Sequence, residues 1–305
     1  MGIVDIYMTK AEYSFAGLEG GEGLVYVIGV PFDSTSSFRS GQRRGPAAVR
    51  RASANIESNG YVNSEVYIEN VGVIDLGDVG VVHGDVRETL HRVERVAEEL
   101  GGEGKLLAAI GGEHTITLGL LRGLASKNGA PCVIVLDAHF DLRDEYLGLK
   151  LSHATVFRRA LEEGVAERVF YLGVRAWDPG ELEYAKSSDR VDWVTSRMLQ
   201  LSGVANAVAH ARHFTSRCES IYLSIDIDFL DPAYAPGAAN PEPGGATIWD
   251  LLEAVAGLAS DNRLIGVDVV EVAPQYDCGE ATSIAAAKAL QEAILAYYNA
   301  RRKPG

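Results

Sequence analysis

The chain has 305 residues, 47% hydrophobic and 23% charged, which is enough to bury a large core without cross-links and too apolar for wholesale disorder. Its 28 Lys and Arg against 42 Asp and Glu leave a net charge of −14, a field that repels phosphate backbones and favours small cations, so nucleic acid is excluded as the main partner. The three cysteines (Cys132, Cys218 and Cys278) are odd in number and far apart, which argues against a disulfide framework or zinc ribbon and suits a reducing cytoplasm.

No apolar run reaches membrane-spanning length, and the start Gly2-Ile3-Val4-Asp5 lacks a signal layout, so a soluble cytoplasmic protein is expected. In chain order, short runs rich in Val and Ile predict strands at 24–30, 71–75, 106–110, 132–137, 168–173, 191–195, 220–226 and 264–270. Stretches of helical period predict helices near 46–54, 84–100, 114–126, 152–164, 180–187, 197–211, 247–259 and 280–300. Continuous apolar strands are covered on both faces, and strict alternation with helices implies right-handed crossovers in an α/β fold with a parallel sheet. Periodicity alone does not separate an open sheet from a closed barrel, but both place ligands at the carboxyl ends of the strands. No linker or repeat divides the chain, so one domain over 1–305 is expected. The segment 231–246 holds four of the ten prolines and reads as a loop following the seventh run.

Five features at strand ends carry chemistry. Gly111-Gly112-Glu113-His114 turns sharply into a helix and leaves His114 at its entry. In Asp137-Ala138-His139-Phe140-Asp141, an extended chain would put Asp137, His139 and Asp141 on one face. Ser224-Ile225-Asp226-Ile227-Asp228 likewise pairs Asp226 with Asp228, while Asp231 before Pro232 reads as turn chemistry. Buried carboxylates at such density are costly without a cation. Two imidazoles and four carboxylates exceed one tetrahedral zinc and suit two Mn²⁺ or Mg²⁺ ions in higher coordination, the histidines tilting the choice toward Mn²⁺, a pair able to activate water near neutral pH. His153, in Ser152-His153-Ala154-Thr155, is a candidate proton carrier, or else a helix cap. Glu271, just past the last strand, is a candidate clamp for a planar cation, or else a surface salt bridge; Asp268 points away from it and reads as structural or as support for the ligands.

With four separated motifs in this order and spacing, at Gly111–His114, Asp137–Asp141, Ser224–Pro232 and Val269–Pro274, the chain resembles the ureohydrolases, arginase, agmatinase and their relatives. Ser152–Arg159 and the Asp231–Gly245 segment resemble agmatinase more than arginase, and Asp141–Tyr146 is similar to archaeal agmatinase-like members. The resemblance implies a three-layer α/β/α sandwich around an eight-stranded parallel sheet. It implies one Mn²⁺ held by His114, Asp137, Asp141 and Asp226, and a second by Asp137, His139, Asp226 and Asp228. It implies further that Glu271 orients a guanidinium, that Asp141 and His153 move protons, and that copies assemble as trimers or hexamers. The implied reaction releases urea and an amine from a small cationic guanidino substrate, foremost agmatine to putrescine in polyamine biosynthesis. The alternatives are aminopropyl-agmatine on the route to spermidine, or arginine or a guanidino acid; in a different class stand a zinc deacetylase or a non-catalytic metal-binding subunit. The sequence departs from the family where Phe140 replaces a threonine, Ala154 a glycine, and Ala238-Ala239-Asn240 the usual loop. Asp144 and Glu145 are candidates to meet a distal ammonium, unless they are solvated or paired with Arg143 or Lys150; Arg39, Arg43 and Arg44 are candidates for a basic pocket that a guanidino acid would need.

Overall fold

A computed structural model describes residues 2–18, 23–102 and 104–302. The eight expected strands form with small shifts of boundary: β2 Val25–Val30, β3 Val73–Val79, β4 Leu106–Gly111, β5 Cys132–Leu136, β6 Arg168–Val174, β7 Val191–Thr195, β8 Ile221–Asp226 and β9 Leu264–Val270. A ninth, β1 (Met8–Thr9), was not expected, because two residues are too short to show a pattern. It pairs antiparallel with Asp78 and Val79 at the edge of an otherwise parallel sheet. The expected eight-stranded parallel sheet is therefore a nine-stranded one in the order β1-β3-β2-β4-β9-β8-β5-β6-β7, open rather than closed.

The helices are α1 Ile3–Tyr7, α2 Gly45–Ser53, α3 Val86–Leu100, α4 Ile116–Asn128, α5 Val156–Glu162, α6 Pro179–Ser187, α7 Ser196–Ser202, α8 Val204–Phe214, α9 Ile248–Ala259 and α10 Ala281–Arg302. Two apolar clusters lie on opposite faces of the sheet. One gathers α2, α7, α8, α9 and α10, through residues such as Val49, Leu199, Val255 and Ile294; the other gathers α3, α4, α5 and α6, through Val93, Leu120, Phe157 and Ala185. Helices on both faces complete the expected three layers. The single helix expected at 197–211 is two, broken at Gly203 (φ +83°), a conformation that costs glycine nothing. The helix expected from 152 begins instead as a 3-10 turn over His153–Thr155, capped by Ser152.

The cysteine reading is overturned. Cys132, the first residue of β5, and Cys218, in the loop before β8, are joined in a disulfide spanning 86 residues, with only Cys278 free and exposed. Spacing concealed the pair because sequence separation does not report which strands become neighbours; β5 and β8 lie side by side. The inference of a reducing compartment from unpaired thiols loses its basis. No helix among the described residues is long and apolar enough to cross a membrane.

Candidate metal centre and active site

Four of the strands that end in chemistry, β4, β9, β8 and β5, are consecutive in the sheet, so His114, Glu271, Asp226 with Asp228, and Asp137 with His139 and Asp141 converge at its centre. The approach is tight. A Cβ on Gly112 would stand 1.9 Å from Phe32 O, so only glycine lets the His114 turn pack there.

The two aspartate motifs do not converge by strand alternation, as expected from the sequence. β5 ends at Leu136, and the ligands sit on turns that their own carboxylates build. Asp137 Oδ1 accepts from His139 N (2.6 Å), and Asp226 Oδ1 accepts from Asp228 N (2.8 Å) at the head of a 3-10 turn. Asp228 Oδ1 accepts from Ala138 N (3.0 Å), which links the two turns to each other. Asp141 and Glu271 both adopt left-handed backbone (φ +52° and +66°), a strain of about 1–3 kcal/mol each that side-chain bearing residues accept where geometry demands it.

The remaining carboxylate oxygens face the imidazoles. His114 Nδ1 lies 3.3 Å from Asp137 Oδ2, 3.1 Å from Asp141 Oδ2 and 3.3 Å from Asp226 Oδ2. His139 Nδ1 lies 3.0 Å from Asp228 Oδ2 and 3.5 Å from Asp137 Oδ1. His114, Asp137 and Asp141 form one ligand group and Asp137, His139 and Asp228 another, each with its ligand atoms within 4.8 Å of one another; Asp137 belongs to both.

The other edge of His114 decides what these atoms can hold. Its Nε2 is 2.9 Å from Ser224 Oγ, whose hydroxyl donates to Asp268 Oδ1 at 2.7 Å. Asp268 is fully buried and also accepts from Thr117 Oγ1 (2.6 Å) and Tyr222 OH (2.7 Å). A hydroxyl has one proton, so with Asp268 ionised Ser224 can only accept from His114, which places the imidazole proton on Nε2. Nδ1 is then a bare lone pair facing three carboxylate oxygens. His114 Nδ1 and Asp137 Oδ2 are buried without a hydrogen-bond partner. Donors that repel one another at such distances fit a divalent cation. Without one, protonation compensates: burial disfavours charged His114 and His139, yet their facing aspartates raise both well above the usual histidine range. Burial, with the charges of Asp228 and Asp137, raises Asp226 strongly, and burial pushes Asp141 up to about 7.

A cavity of about 390 Å³ opens beside this cluster, lined by His139, Asp141 and His153 and by Ser37, Phe38, Arg143, Tyr146, Trp177, Glu181, Asn240 and Glu242. Burial lowers His153 to about 4, so it is neutral; Ser37 Oγ is 3.2 Å from its Nε2, and its backbone N–H donates to Thr35 Oγ1 (3.1 Å). Glu271 is buried behind His114. Its Oε1 accepts from His114 N (2.6 Å) and its Oε2 from Gln42 Nε2 (3.0 Å), while burial and the nearby Glu113 carboxylate push it up to about 8.

Other expected residues lie apart. Asp144 and Glu145 do not line the cavity; Asp144 is exposed and ion-paired with Arg159 (2.7 Å) and Lys150 (3.6 Å). Arg39 donates to Pro236 O and Ala238 O, Arg43 pairs with Asp33, and neither these nor Arg44 line the cavity. Phe140 turns into an aromatic cluster with Tyr171, Trp177 and Trp193, which explains how an apolar residue sits between ligands. The sequence reading passed over Ser224, Gln42, Glu181 and Arg175. Of these only Ser224 was marked, by its same-face spacing two residues before Asp226.

Residues 24–296 match the arginase family. The chain belongs to the arginase family. It is 36% identical over 266 residues to a protein named N(1)-aminopropylagmatine ureohydrolase from Thermococcus kodakarensis, covering 87% of each chain. It is 36% identical over 273 residues to an agmatinase from Halalkalibacterium halodurans, covering 89% of this chain and 91% of that one. Among solved structures, proclavaminate amidino hydrolase from Streptomyces clavuligerus superposes with a TM-score of 0.85 at 30% identity, covering 96% and 97% of the two chains. This member of the arginase family is a hydrolase acting on carbon–nitrogen bonds of linear amidines.

Proposed function

We propose that this arginase-family member hydrolyses agmatine to urea and putrescine in a centre of two Mn²⁺ ions. The observation that carries the reading is the pair of three-residue ligand groups sharing Asp137, set beside a cavity that contains His153. His114, Asp137, Asp141 and Asp226 would hold one ion, and Asp137, His139, Asp226 and Asp228 the other. When bound, such a pair supplies a Lewis-acid-activated water near neutral pH.

The chain's own residues do the rest. Glu271 does not line the cavity but is held against the His114 backbone; the bonds it accepts leave lone pairs on both oxygens that would orient the plane of a guanidinium bound over the ligand groups, and a cation beside it favours its ionised form. Asp141 carries a proton toward the nitrogen that departs, and neutral His153, in the same cavity, relays it so that the amine leaves protonated. One carbon–nitrogen bond breaks; water supplies the oxygen of urea, and both of its protons end on the departing nitrogen, which leaves as an ammonium.

Aminopropyl-agmatine is the second reading, favoured by the name of the Thermococcus relative. The guanidino-acid reading has less support, since Arg39, Arg43 and Arg44 stand outside the cavity, and the cationic lining residue, Arg143, faces Asp178 and Glu181. We place the protein in an assembly of identical subunits, trimer or hexamer, which light scattering tests. The functional test is urea release from agmatine, aminopropyl-agmatine, arginine and 4-guanidinobutyrate by manganese-loaded protein, together with His139→Ala and Asp228→Ala. Near-normal rates in those variants would defeat the two-metal scheme.

A further inference from the structure

Arg175 follows β6 and binds more backbone than it contributes. Its N–H donates to Ala138 O (2.8 Å) in the Asp137–Asp141 turn. Its guanidinium donates to Asp228 O (2.6 Å), Leu230 O (3.2 Å), Phe229 O (3.3 Å), Gly173 O (3.2 Å) and Glu242 O (2.8 and 3.2 Å). One planar fork thus fastens the turn that carries Asp228 to the distal part of the proline-rich segment. The same spot admits no side chain at Gly245, where a Cβ would come within 2.4 Å of Asp231 N and 2.7 Å of the Arg175 guanidinium. Asp231 closes the segment by accepting from Gly244 N (2.8 Å) and Gly245 N (3.1 Å).

Three acidic residues line the cavity, and the carboxylates of two are occupied. Asp141 faces His114, and Glu181 accepts from Leu142 N (3.0 Å) and Asp178 N (2.8 Å) with Arg143 at 3.8 Å. Glu242 has its backbone carbonyl held by Arg175, while its carboxylate makes no hydrogen bond or ion pair among the described residues. Phe38, Tyr146 and Trp177 share the lining, and such rings accommodate an alkylammonium. We propose that Glu242, fixed in place by Arg175, recognises the terminal ammonium of a linear guanidino-amine substrate and so selects it over guanidines with a neutral tail; this deepens the ureohydrolase reading and rests on it. Arg175 is a positioning residue here, acting through the backbone of Glu242.

The test compares manganese-loaded wild type with Glu242→Gln and Arg175→Lys, using agmatine and butylguanidine, which has no ammonium. The ratio of kcat/KM for agmatine to that for butylguanidine falls about tenfold in Glu242→Gln, the scale of one partly exposed charge-assisted contact, and the loss appears in KM with kcat for agmatine nearly kept. Arg175→Lys keeps the charge but not the fork, and lowers the ratio in the same direction. An unchanged ratio in Glu242→Gln, or a wild type that does not prefer agmatine, overturns the assignment while the ureohydrolase reading stands. Absence of urea from every guanidine in the wild type overturns that reading, and this assignment with it.

Discussion

Replacing Asp268 with asparagine tests the hydrogen-bond chain that sets the state of His114. Asp268 accepts three hydroxyl protons, from Ser224, Thr117 and Tyr222. An asparagine can still accept at one atom but must donate at the other. If its amide faces Ser224, the Ser224 proton turns toward His114 Nε2 and the imidazole proton moves to Nδ1, among the three carboxylates. Binding a cation at Nδ1 then requires the tautomer that Ser224 no longer supports, and loss of such outer support weakens affinity about 10–100-fold, or about 1.4–2.7 kcal/mol. If the amide faces Thr117 and Tyr222 instead, those hydroxyls lose their acceptor and the cost of about 1–3 kcal/mol falls on the fold. Calorimetric titration of metal-free protein with Mn²⁺, beside urea denaturation of the same samples, reads both. Affinity within twofold of wild type together with wild-type stability would refute the claim that Asp268 governs the His114 tautomer.

Three further outcomes are expected. Paired Cys132→Ser and Cys218→Ser substitution removes a constraint on an 86-residue loop, worth about 4–5 kcal/mol by chain entropy, so denaturation shifts strongly, and thiol titration of unreduced, unfolded wild type finds one reactive group, Cys278; three groups would refute the pairing. Because the facing aspartates raise His114 and His139 above the unfolded value of about 6.5, their contribution to metal-free stability is full below that pH and fades as pH rises through the raised values. Mn²⁺ must displace those protons, so affinity increases with pH over that window, and calorimetry in buffers of different ionisation heat registers proton release; pH-independent binding would contradict it. Asp144→Asn leaves KM for agmatine unchanged, since that carboxylate faces Arg159 and Lys150 outside the cavity; a KM rise comparable to that of Glu242→Gln would restore Asp144 as a substrate contact.

What the sequence disclosed follows from what is local. Continuous apolar runs marked eight strands, and acids or histidines directly after them marked all six candidate ligands, because burying such groups needs a reason that lies within a few residues. Strand order is not local, so neither the adjacency of β5 and β8 nor the disulfide across it was legible, although both cysteines were in plain view. The turn at Asp137–Asp141 was mistaken for extended chain, since a positive φ at Asp141 follows from tertiary contacts rather than from residue type. Asp144 and Arg143 looked alike as loop charges. Only packing separates the first, paired outside the cavity, from the second, inside it. Arg175 gave no signal at all, because its partners are backbone carbonyls, which every residue possesses.

The adjacency of β4, β9, β8 and β5 has a consequence for how this centre tolerates divergence. Neighbouring strands stand about 4.7–4.9 Å apart because main-chain hydrogen bonds fix that interval whatever the side chains are. The backbone therefore acts as a gauge that meters out the ligand turns. Side chains away from the ligands can therefore change, and the gauge still reads the same.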